Sequence, residues 1–485
     1  MGSLTLTLSR RVRGSQRNNA DPPLVATSRI VHNARRAPRP LASAMTPPTA
    51  LPSRQLLVYG GPIVGLSFLL FFVQFYFLKF ATDVLLLPPA LVGGLFAVAK
   101  VWDAACNPLV GSWSDRMRSP FGRRRPFLFA ALPLLAGAYV MLWNPPMGWA
   151  PTALLAWVGV GLFAFFSAFA LYAIPHAALG AELSTDSHQR TRLFGVKQVS
   201  FTFGMLLAFG AIQSAMNADA PRAAAGSLAL PGALIAVALL AVTPLTIRET
   251  AARRGGGHSL TAGLRDVMGN RAARILLIVW FIESLGVGAV GTMAPYVAQY
   301  LLERPDVVGT LPAAYVLSGI VSIPIWVRVA HRHGARNTWL AAMLIAAAAF
   351  AGMLFVASGD LARLFALLIV AGGAMGCGSV LASSLMADII DLDEHHTGER
   401  KEGIYSAALL FALKIGNSVA TALSGVVLSV VAFTPNVEQS PESLLGMRLL
   451  FGGMPCIGFL VGAALFRGFP LGRAPVAGGA ATATR

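Results

Sequence analysis

About twelve long apolar stretches, each close to the length of a membrane-crossing helix, dominate this chain of 485 residues. A helix needs roughly 20 mainly apolar residues to cross the hydrocarbon core of a bilayer. Hydrophobic residues make up 55% of the sequence and charged residues only 12%, whereas soluble domains are about a quarter charged. The sequence therefore predicts an all-α membrane protein with twelve transmembrane helices.

The apolar stretches form two groups of six, separated by a basic, glycine-containing segment at 248–274 that we interpret as a linker. This spacing predicts a first half at 51–247 and a second half at 275–470. The stretches lie at 57–80, 90–113, 127–143, 152–179, 193–216, 225–247, 275–302, 308–327, 339–357, 361–390, 404–433 and 449–466.

The two ends of the chain differ in composition from the rest. Residues 1–50 are rich in Arg and Pro and lack the continuous apolar stretch of a secretory signal. We interpret them as a disordered tail, or as upstream sequence translated from a misassigned start, with Met45 as an alternative first residue. Residues 471–485 are rich in Ala and Gly and predict a second flexible tail.

The formal net charge of +17 is concentrated in short loops on one side of the predicted bundle. The loops with Arg116, Arg190, Arg332 and Lys401 all fall on that side, and the alternate loops carry little charge. Cytoplasmic loops of membrane proteins are enriched in Lys and Arg, so this pattern does not indicate nucleic-acid binding. We expect a multi-pass monomer of a bacterial inner membrane, with both termini cytoplasmic.

A few ionisable residues interrupt the apolar stretches. Asp103, Lys100, Lys197, Glu283 and Lys414 all fall inside predicted spans, where a charged side chain costs at least about 2.5–3.5 kcal/mol. Such residues are candidates for a functional site. Two structural interpretations remain open at this stage, an ion pair between Lys100 and Asp103 on one helix face and a fixed interhelical pair of Lys414.

Other polar residues lie near aromatic side chains. Ser67 and Gln74 share one face of the first span among several Phe residues, and Tyr172 continues an aromatic stripe on the fourth. Such stripes also serve helix packing or lipid contact. Lys79 and Asp83 lie near the end of the first span, where we expect them to be structural and to reach the interface by snorkelling.

The acidic and histidine-rich segment 388–396 does not match the ligand spacing of a zinc site. Its position beside Arg400 favours a charged gate at the cytoplasmic end of the tenth span. The three cysteines lie in apolar stretches and resemble small buried residues. No phosphate-binding loop, nucleophile elbow or zinc-protease motif is present, so we expect neither an enzyme nor a cofactor.

Several short segments stand in a specific order along the chain. They are TDV at 82–84, KVWDAACNP at 100–108, GSWSDRMRSPFGRRR at 111–125, PHAAL at 175–179 and DIID at 388–391. In order and spacing they resemble the glycoside–pentoside–hexuronide:cation symporters, a family of the major facilitator superfamily that includes melibiose permease. The resemblance covers residues 57 to 430. It implies a major facilitator fold and transport of a sugar by alternating access, with the substrate near the bilayer midplane.

The resemblance also shows departures at the cation site. Melibiose permease uses three acids, and the matching positions here are Asp103, Asn107 and Ala173. Its sugar-binding acid on the first helix matches Ser67, and its basic residue on the fifth helix falls at Lys197 or the next position. A single remaining carboxylate suits a proton better than sodium, because neighbouring charges can adjust its affinity for a proton.

We therefore expect proton-coupled symport of a sugar or glycoside, with sodium as the less favoured ion. Two alternatives remain open, an uncoupled facilitator or exporter of an amphipathic or lipid-like solute, and a non-transporting membrane scaffold or sensor. The predicted coupling residues are Asp103, Lys100, Asn107 and Lys414; the predicted substrate contacts are Ser67, Gln74, Tyr172, Lys197 and Glu283; the predicted cytoplasmic gate comprises Asp115, Arg123, Arg124, Asp388, Asp391 and Arg400.

Overall fold

A computed structural model describes residues 52–184, 186–247, 249, 267–397 and 402–470. The predicted tails at 1–50 and 471–485, most of the linker and Arg400 lie outside the described residues, so the predictions made for them are not tested. Within the described ranges the chain is helical, with short turns and no strand.

The described residues form twelve long helices, which follow one another along the chain as the apolar stretches predict. Gly61 and Pro62 interrupt α1, and short π-helical turns continue α7 to Leu301 and join the pieces of α12. The helices are α1 (Ser53–Asp83), α2 (Pro89–Arg116), α3 (Arg125–Trp143), α4 (Pro151–Glu182), α5 (Ser187–Met216), α6 (Pro221–Thr246), α7 (Arg271–Tyr296), α8 (Thr310–His333), α9 (Ala335–Met353), α10 (Leu361–Thr397), α11 (Glu402–Val430) and α12 (Pro441–Phe466).

Eleven of these helices are long and apolar enough to span a bilayer by themselves. The remaining one, α9, has 19 residues and opens with Arg336, Asn337 and Thr338, which lower its mean hydropathy. It packs between α10 and α12 and completes the bundle. The predicted all-α, twelve-helix fold is confirmed.

Two helices extend furthest beyond their apolar stretches. The apolar stretch of the tenth ends at residue 390, yet α10 continues to Thr397, and α12 begins at Pro441 rather than at 449. In both extensions the helix includes polar residues, and a hydropathy pattern does not identify such residues as part of a span.

Local sequence determines where many of the helices begin. Proline occupies the first turn of α2, α4, α6 and α12, where its missing N–H leaves no hydrogen bond unmade. The carboxylate of Asp186 accepts hydrogen bonds from the backbone N–H of His188 and Gln189 and caps α5. Asn270 caps α7 in the same way through Ala272 and Ala273.

The two ends of the helix bundle differ in the loops that they carry. We call the end with the Arg-containing residues 117–124 and the turn between α4 and α5 the basic end. The opposite end, with residues 84–88 and 302–309, is the distal end.

Helices α1–α6 and α7–α12 pack mainly within their own groups and meet along three pairs, α2 with α11, α1 with α7 and α5 with α8. The α2–α11 contact is the closest. Gly93 faces Gly425, and a Cβ added at Gly425 would overlap the backbone oxygen of Pro89. Small residues allow such close helix approach in membranes. The glycine pair therefore lets the two halves touch at the distal end.

We predict that Gly425→Ala separates the halves at the distal end. The new Cβ meets backbone rather than a flexible side chain, and such overpacking costs about 1–3 kcal/mol. We expect a lower thermal midpoint in detergent and faster thiol labelling of cavity positions from the distal side. Gly94→Ala is the matched control, because a Cβ there meets no atom within 4 Å. Equal behaviour of the two variants would contradict the proposed close contact.

Candidate functional site

A cavity of about 410 Å³ lies between the two halves, halfway along the bundle. Its wall is mostly apolar and aromatic, with Phe71, Phe75, Phe169, Phe201 and Phe209 from the first half. Six polar side chains face it: Gln74, Lys100, Asp103, Tyr315, Lys414 and Asn417. Four of these six lie among the predicted site residues, so the structure brings part of the predicted set together.

An ion pair crosses the cavity from one half to the other. The carboxylate of Asp103 on α2 lies 2.8 Å from the ammonium nitrogen of Lys414 on α11. Lys414 also donates a hydrogen bond of 3.3 Å to the side-chain oxygen of Asn107. Asp103 is only 3% exposed, and its second carboxylate oxygen is buried without a hydrogen-bond partner among the described residues. One face of this acid is therefore available to a proton, an ion or a substrate hydroxyl.

Lys100 does not form the ion pair with Asp103 that the sequence left open. Its ammonium group donates to the side-chain oxygen of Gln74 on α1 and lies 4.8 Å from the ring centre of Phe166. Although Lys100 and Asp103 share a helix face, Lys100 extends toward α1 and α4 while Asp103 extends toward α11. With all three groups ionised, Lys100, Asp103 and Lys414 leave one excess positive charge on the cavity wall.

Four predicted substrate contacts do not line this cavity. Ser67 is fully buried, and its hydroxyl donates to the backbone oxygen of Ile63 at 2.9 Å. Tyr172 donates to the backbone oxygen of Leu240 at 2.8 Å. Lys197 lies beside its neighbour Phe194, 5.6 Å from that ring centre.

In this arrangement Ser67 and Tyr172 are packing residues, because backbone oxygens within the first half use their hydroxyl groups. Glu283 is buried in the second half, one helical turn from the cavity-lining residue Val287. These four residues lie outside the cavity wall in this conformation, and their role as substrate contacts stays a prediction.

A buried polar cluster seals the distal end and was missed by the sequence analysis. Lys79 and Asp83 form an ion pair on α1, and the hydroxyl of Tyr300 in the second half donates to the same carboxylate. Thr82 shares a hydrogen bond of 2.8 Å with Tyr296 on α7. The amide of Asn436 donates to the backbone oxygen of Asp83 at 2.8 Å.

The expectation that Lys79 and Asp83 reach the interface by snorkelling is therefore wrong. Both side chains are buried, because α7 and the turn before α12 cover them. The sequence alone does not reveal which helix will cover an ion pair at the end of a span. The pair instead connects the two halves through its hydroxyl and amide partners.

At the basic end, charged groups cluster within the first half. Arg124 contacts Asp115 at 3.1 Å and Glu182 at 2.6 Å, and Arg123 also contacts Glu182 at 2.6 Å. The carboxylate of Glu249 accepts hydrogen bonds from three successive backbone N–H groups that begin at Arg123, 2.7–2.8 Å away. The predicted gate residues of the first half thus meet, with two partners that the sequence analysis did not assign.

The predicted gate residues of the second half behave differently. Asp388 and Asp391 are exposed on α10, and Arg400 lies outside the described residues. The ion pairs described for Asp115, Arg123 and Arg124 stay within the first half, and the backbone N–H groups of the two arginines donate to Glu249 at the start of the linker. In the described residues, the polar contacts between halves lie at the cavity or at the distal end, so polar contacts join the halves on the distal side and not at the basic end.

The amino-acid sequence is similar to those of known transport proteins. The family described as MFS/sugar transport protein matches residues 56–473. The inner membrane symporter YicJ of Escherichia coli (strain K12) is 25% identical over 398 residues, which cover 81% of this chain and 86% of that protein. The isoprimeverose transporter of Lactiplantibacillus pentosus is 26% identical over 410 residues, which cover 81% and 83%.

The fold recurs in a solved structure. The crystal structure of a bacterial homologue of the human lysosomal transporter Spinster, in an inward-facing and unoccupied conformation, matches with a TM-score of 0.66. It is 14% identical, and the match covers 85% of this chain and 96% of that one. At this identity the likeness shows a shared fold, which confirms the predicted major facilitator architecture.

We predict that Asp83→Asn opens the distal end. The change leaves Lys79 buried without its counter-charge, and removing one partner of a buried ion pair costs about 3–5 kcal/mol. A single cysteine placed at Phe75 on the cavity wall should then react faster with a membrane-impermeant thiol reagent applied from the distal side. Asp306→Asn is the matched control, because Asp306 and Arg304 form an ion pair near the same end with both side chains about half exposed. An unchanged labelling rate would contradict the proposed seal.

Proposed function

Because the chain belongs to the family of MFS/sugar transport proteins, we propose that it is a secondary transporter that carries a sugar or glycoside together with a proton. The substrate occupies the central cavity, and the two halves rock about it to expose the cavity to one side of the membrane at a time. Relatives named as a symporter and as an isoprimeverose transporter support the substrate class and the coupling to an ion.

The observation that carries the proposal is the ion pair between Asp103 and Lys414. It joins the two halves at the cavity, and it requires Asp103 to be ionised. A proton that binds Asp103 removes the negative charge and releases Lys414. The proton thus weakens a contact between the halves at the place where a substrate must enter, which is the link that coupled transport requires.

The donor set around Asp103 favours a proton over sodium. Hard cations prefer several oxygen ligands. Here one carboxylate and the side-chain oxygen of Asn107 face the site, and the ammonium group of Lys414 already contacts both. A metal cation would have to displace that ammonium group, whereas a proton needs only one carboxylate oxygen.

The remaining polar groups of the cavity suit a polyhydroxyl substrate. Gln74 and Asn417 offer amide groups, Tyr315 offers a hydroxyl, and Lys100 offers ammonium protons. The aromatic side chains of the wall can stack on the apolar face of a sugar ring. A few polar groups that fix orientation within a mainly apolar wall are typical of small-molecule sites.

The sidedness of the protein is part of the proposal. The basic end carries the Arg-rich loops, so we place it in the cytoplasm of a bacterial cell, with the protein in the inner membrane. With the distal end sealed, the structure then represents an inward-facing state.

A second candidate function is supported by the same cavity wall. Six Phe side chains of the described residues line it, and they suit an amphipathic solute as well as a sugar ring. Under this alternative the protein is an uncoupled facilitator or exporter, and the ion pair between Asp103 and Lys414 only stabilises the conformation.

We predict that Asp103→Asn abolishes proton uptake coupled to substrate but retains exchange of substrate across the membrane. Asparagine cannot carry a proton, yet it keeps the shape of the side chain. The measurement is the pH outside de-energised vesicles on addition of a panel of sugars and glycosides, together with counterflow of a labelled substrate. Asp360→Asn is the control, because Asp360 is partly exposed at the distal start of α10.

The outcomes separate the candidate functions. Alkalinisation with one glycoside that is lost in Asp103→Asn supports proton symport. Counterflow without any pH change, in the presence or absence of sodium, supports the uncoupled alternative. Sodium-dependent uptake that survives in Asp103→Asn would contradict the coupling role of this residue.

A further inference from the structure

Glu283 is a buried acid that the proposed mechanism does not use. It lies on α7 in the middle of the second half and is 3% exposed. Both carboxylate oxygens are buried and make no hydrogen bond with the described residues. Asp103, by contrast, has a cation 2.8 Å away.

The groups around Glu283 are neutral. On α10, Gly378 leaves room for its carboxylate and for the indole nitrogen of Trp339 on α9, which lie 3.5 Å and 3.1 Å from an idealised Cβ at that glycine. Tyr315 on α8 and Cys377 on α10 are close enough for Glu283 to act on them electrostatically.

Among the described residues, the other helices that pack on α7 place no cationic side chain beside Glu283. Lys414 of α11 faces Asp103 across the cavity. Lys79 of α1 pairs with Asp83 at the distal end, where it lies against the rings of Tyr296 and Tyr300. On α12, Arg448 belongs to the segment nearer the distal start of the helix.

An ionised carboxylate in this position would have the indole N–H of Trp339 beside it but no counter-charge from the described residues. Taking such a charge out of water costs several kcal/mol even after relaxation, and an uncompensated acid avoids the cost by binding a proton. Geometry and burial therefore indicate a neutral carboxylic acid at Glu283, while the ion pair keeps Asp103 ionised.

Glu283 also has a route to the central cavity. It precedes Val287 by one helical turn, and Val287, Gly288 and Gly291 continue along α7 as part of the cavity wall. Tyr315 both lines the cavity and lies near Glu283, and its buried hydroxyl has no hydrogen-bond partner in the part of the chain that the structure describes. A hydroxyl can accept one proton and donate another, so Tyr315 can connect the acid to the cavity.

We propose that Glu283 is a second proton-binding site of this protein, occupied in the conformation described and connected to the central cavity through Tyr315. The idea rests on the proposed function for its role in transport, but not for the presence of the proton. In the proton transfer, the O–H bond of the Glu283 carboxyl breaks and a proton passes to the cavity, leaving a carboxylate. Reprotonation restores the neutral acid.

The first test measures protonation directly and needs no substrate. Infrared spectra of the purified full-length protein at neutral pH, taken in normal and heavy water, should contain the carbonyl band of a protonated carboxyl group that shifts on deuteration. The band should be lost in Glu283→Gln and kept in Asp103→Asn. A spectrum in which Glu283→Gln retains the band would overturn the proposal.

A second variant tests the route. Tyr315→Phe removes one hydroxyl and leaves the acid in place, so the band should remain but its deuterium shift should slow at least several-fold. An unchanged exchange rate would exclude Tyr315 as the connection. This variant also keeps the proposal testable should Glu283→Gln prove unstable.

The third test measures whether the proton site at Glu283 takes part in transport. Glu283→Gln should retain substrate counterflow and alter the pH dependence of substrate accumulation, which Asp103 alone would then determine. An unaltered pH profile would contradict a coupling role for Glu283. If the wild type moves no sugar at all, the proposed function fails, whereas the infrared result still decides whether Glu283 binds a proton.

Discussion

The high cost of an unpaired charge inside a membrane explains much of the arrangement of this protein. Each charge within the spans has to be paired, neutralised or brought to water. The pairs Asp103–Lys414 and Lys79–Asp83 meet this requirement, and both take part in contacts between the two halves. Contacts that stabilise one conformation are therefore also those that must break when the protein changes conformation.

The distribution of these contacts is asymmetric along the bundle. At the distal end, the glycine pair of α2 and α11 brings the backbones together, and the Lys79–Asp83 cluster forms hydrogen bonds to the second half. At the basic end, the Arg123 and Arg124 network stays within the first half. Apolar packing alone would not favour one end, because lipid tails are as apolar as the helix surfaces. Close packing and polar contacts thus determine which side is sealed.

The two central acids illustrate how the environment assigns different tasks to the same chemical group. Asp103 faces a lysine from the other half, so its charge connects the halves. Glu283 faces an indole, a phenol and a thiol within its own half, where a neutral acid is the stable form. A transporter with one acid in each environment can hold a proton in one place while it maintains an ion pair in another.

The sequence alone determined the twelve-helix membrane fold, because hydropathy and helix length are local properties that the bilayer requires of every span. It also identified Asp103, Lys100, Gln74 and Lys414, which face the cavity, since polar groups stand out against an apolar background. Only the tertiary structure decided their partners. Lys100 contacts Gln74 rather than Asp103, Tyr172 and Ser67 bond to backbone oxygens, and Lys79 and Asp83 are covered by the second half. Most of these outcomes depend on which helix faces meet, and that depends on contacts between different helices, which the local sequence does not specify.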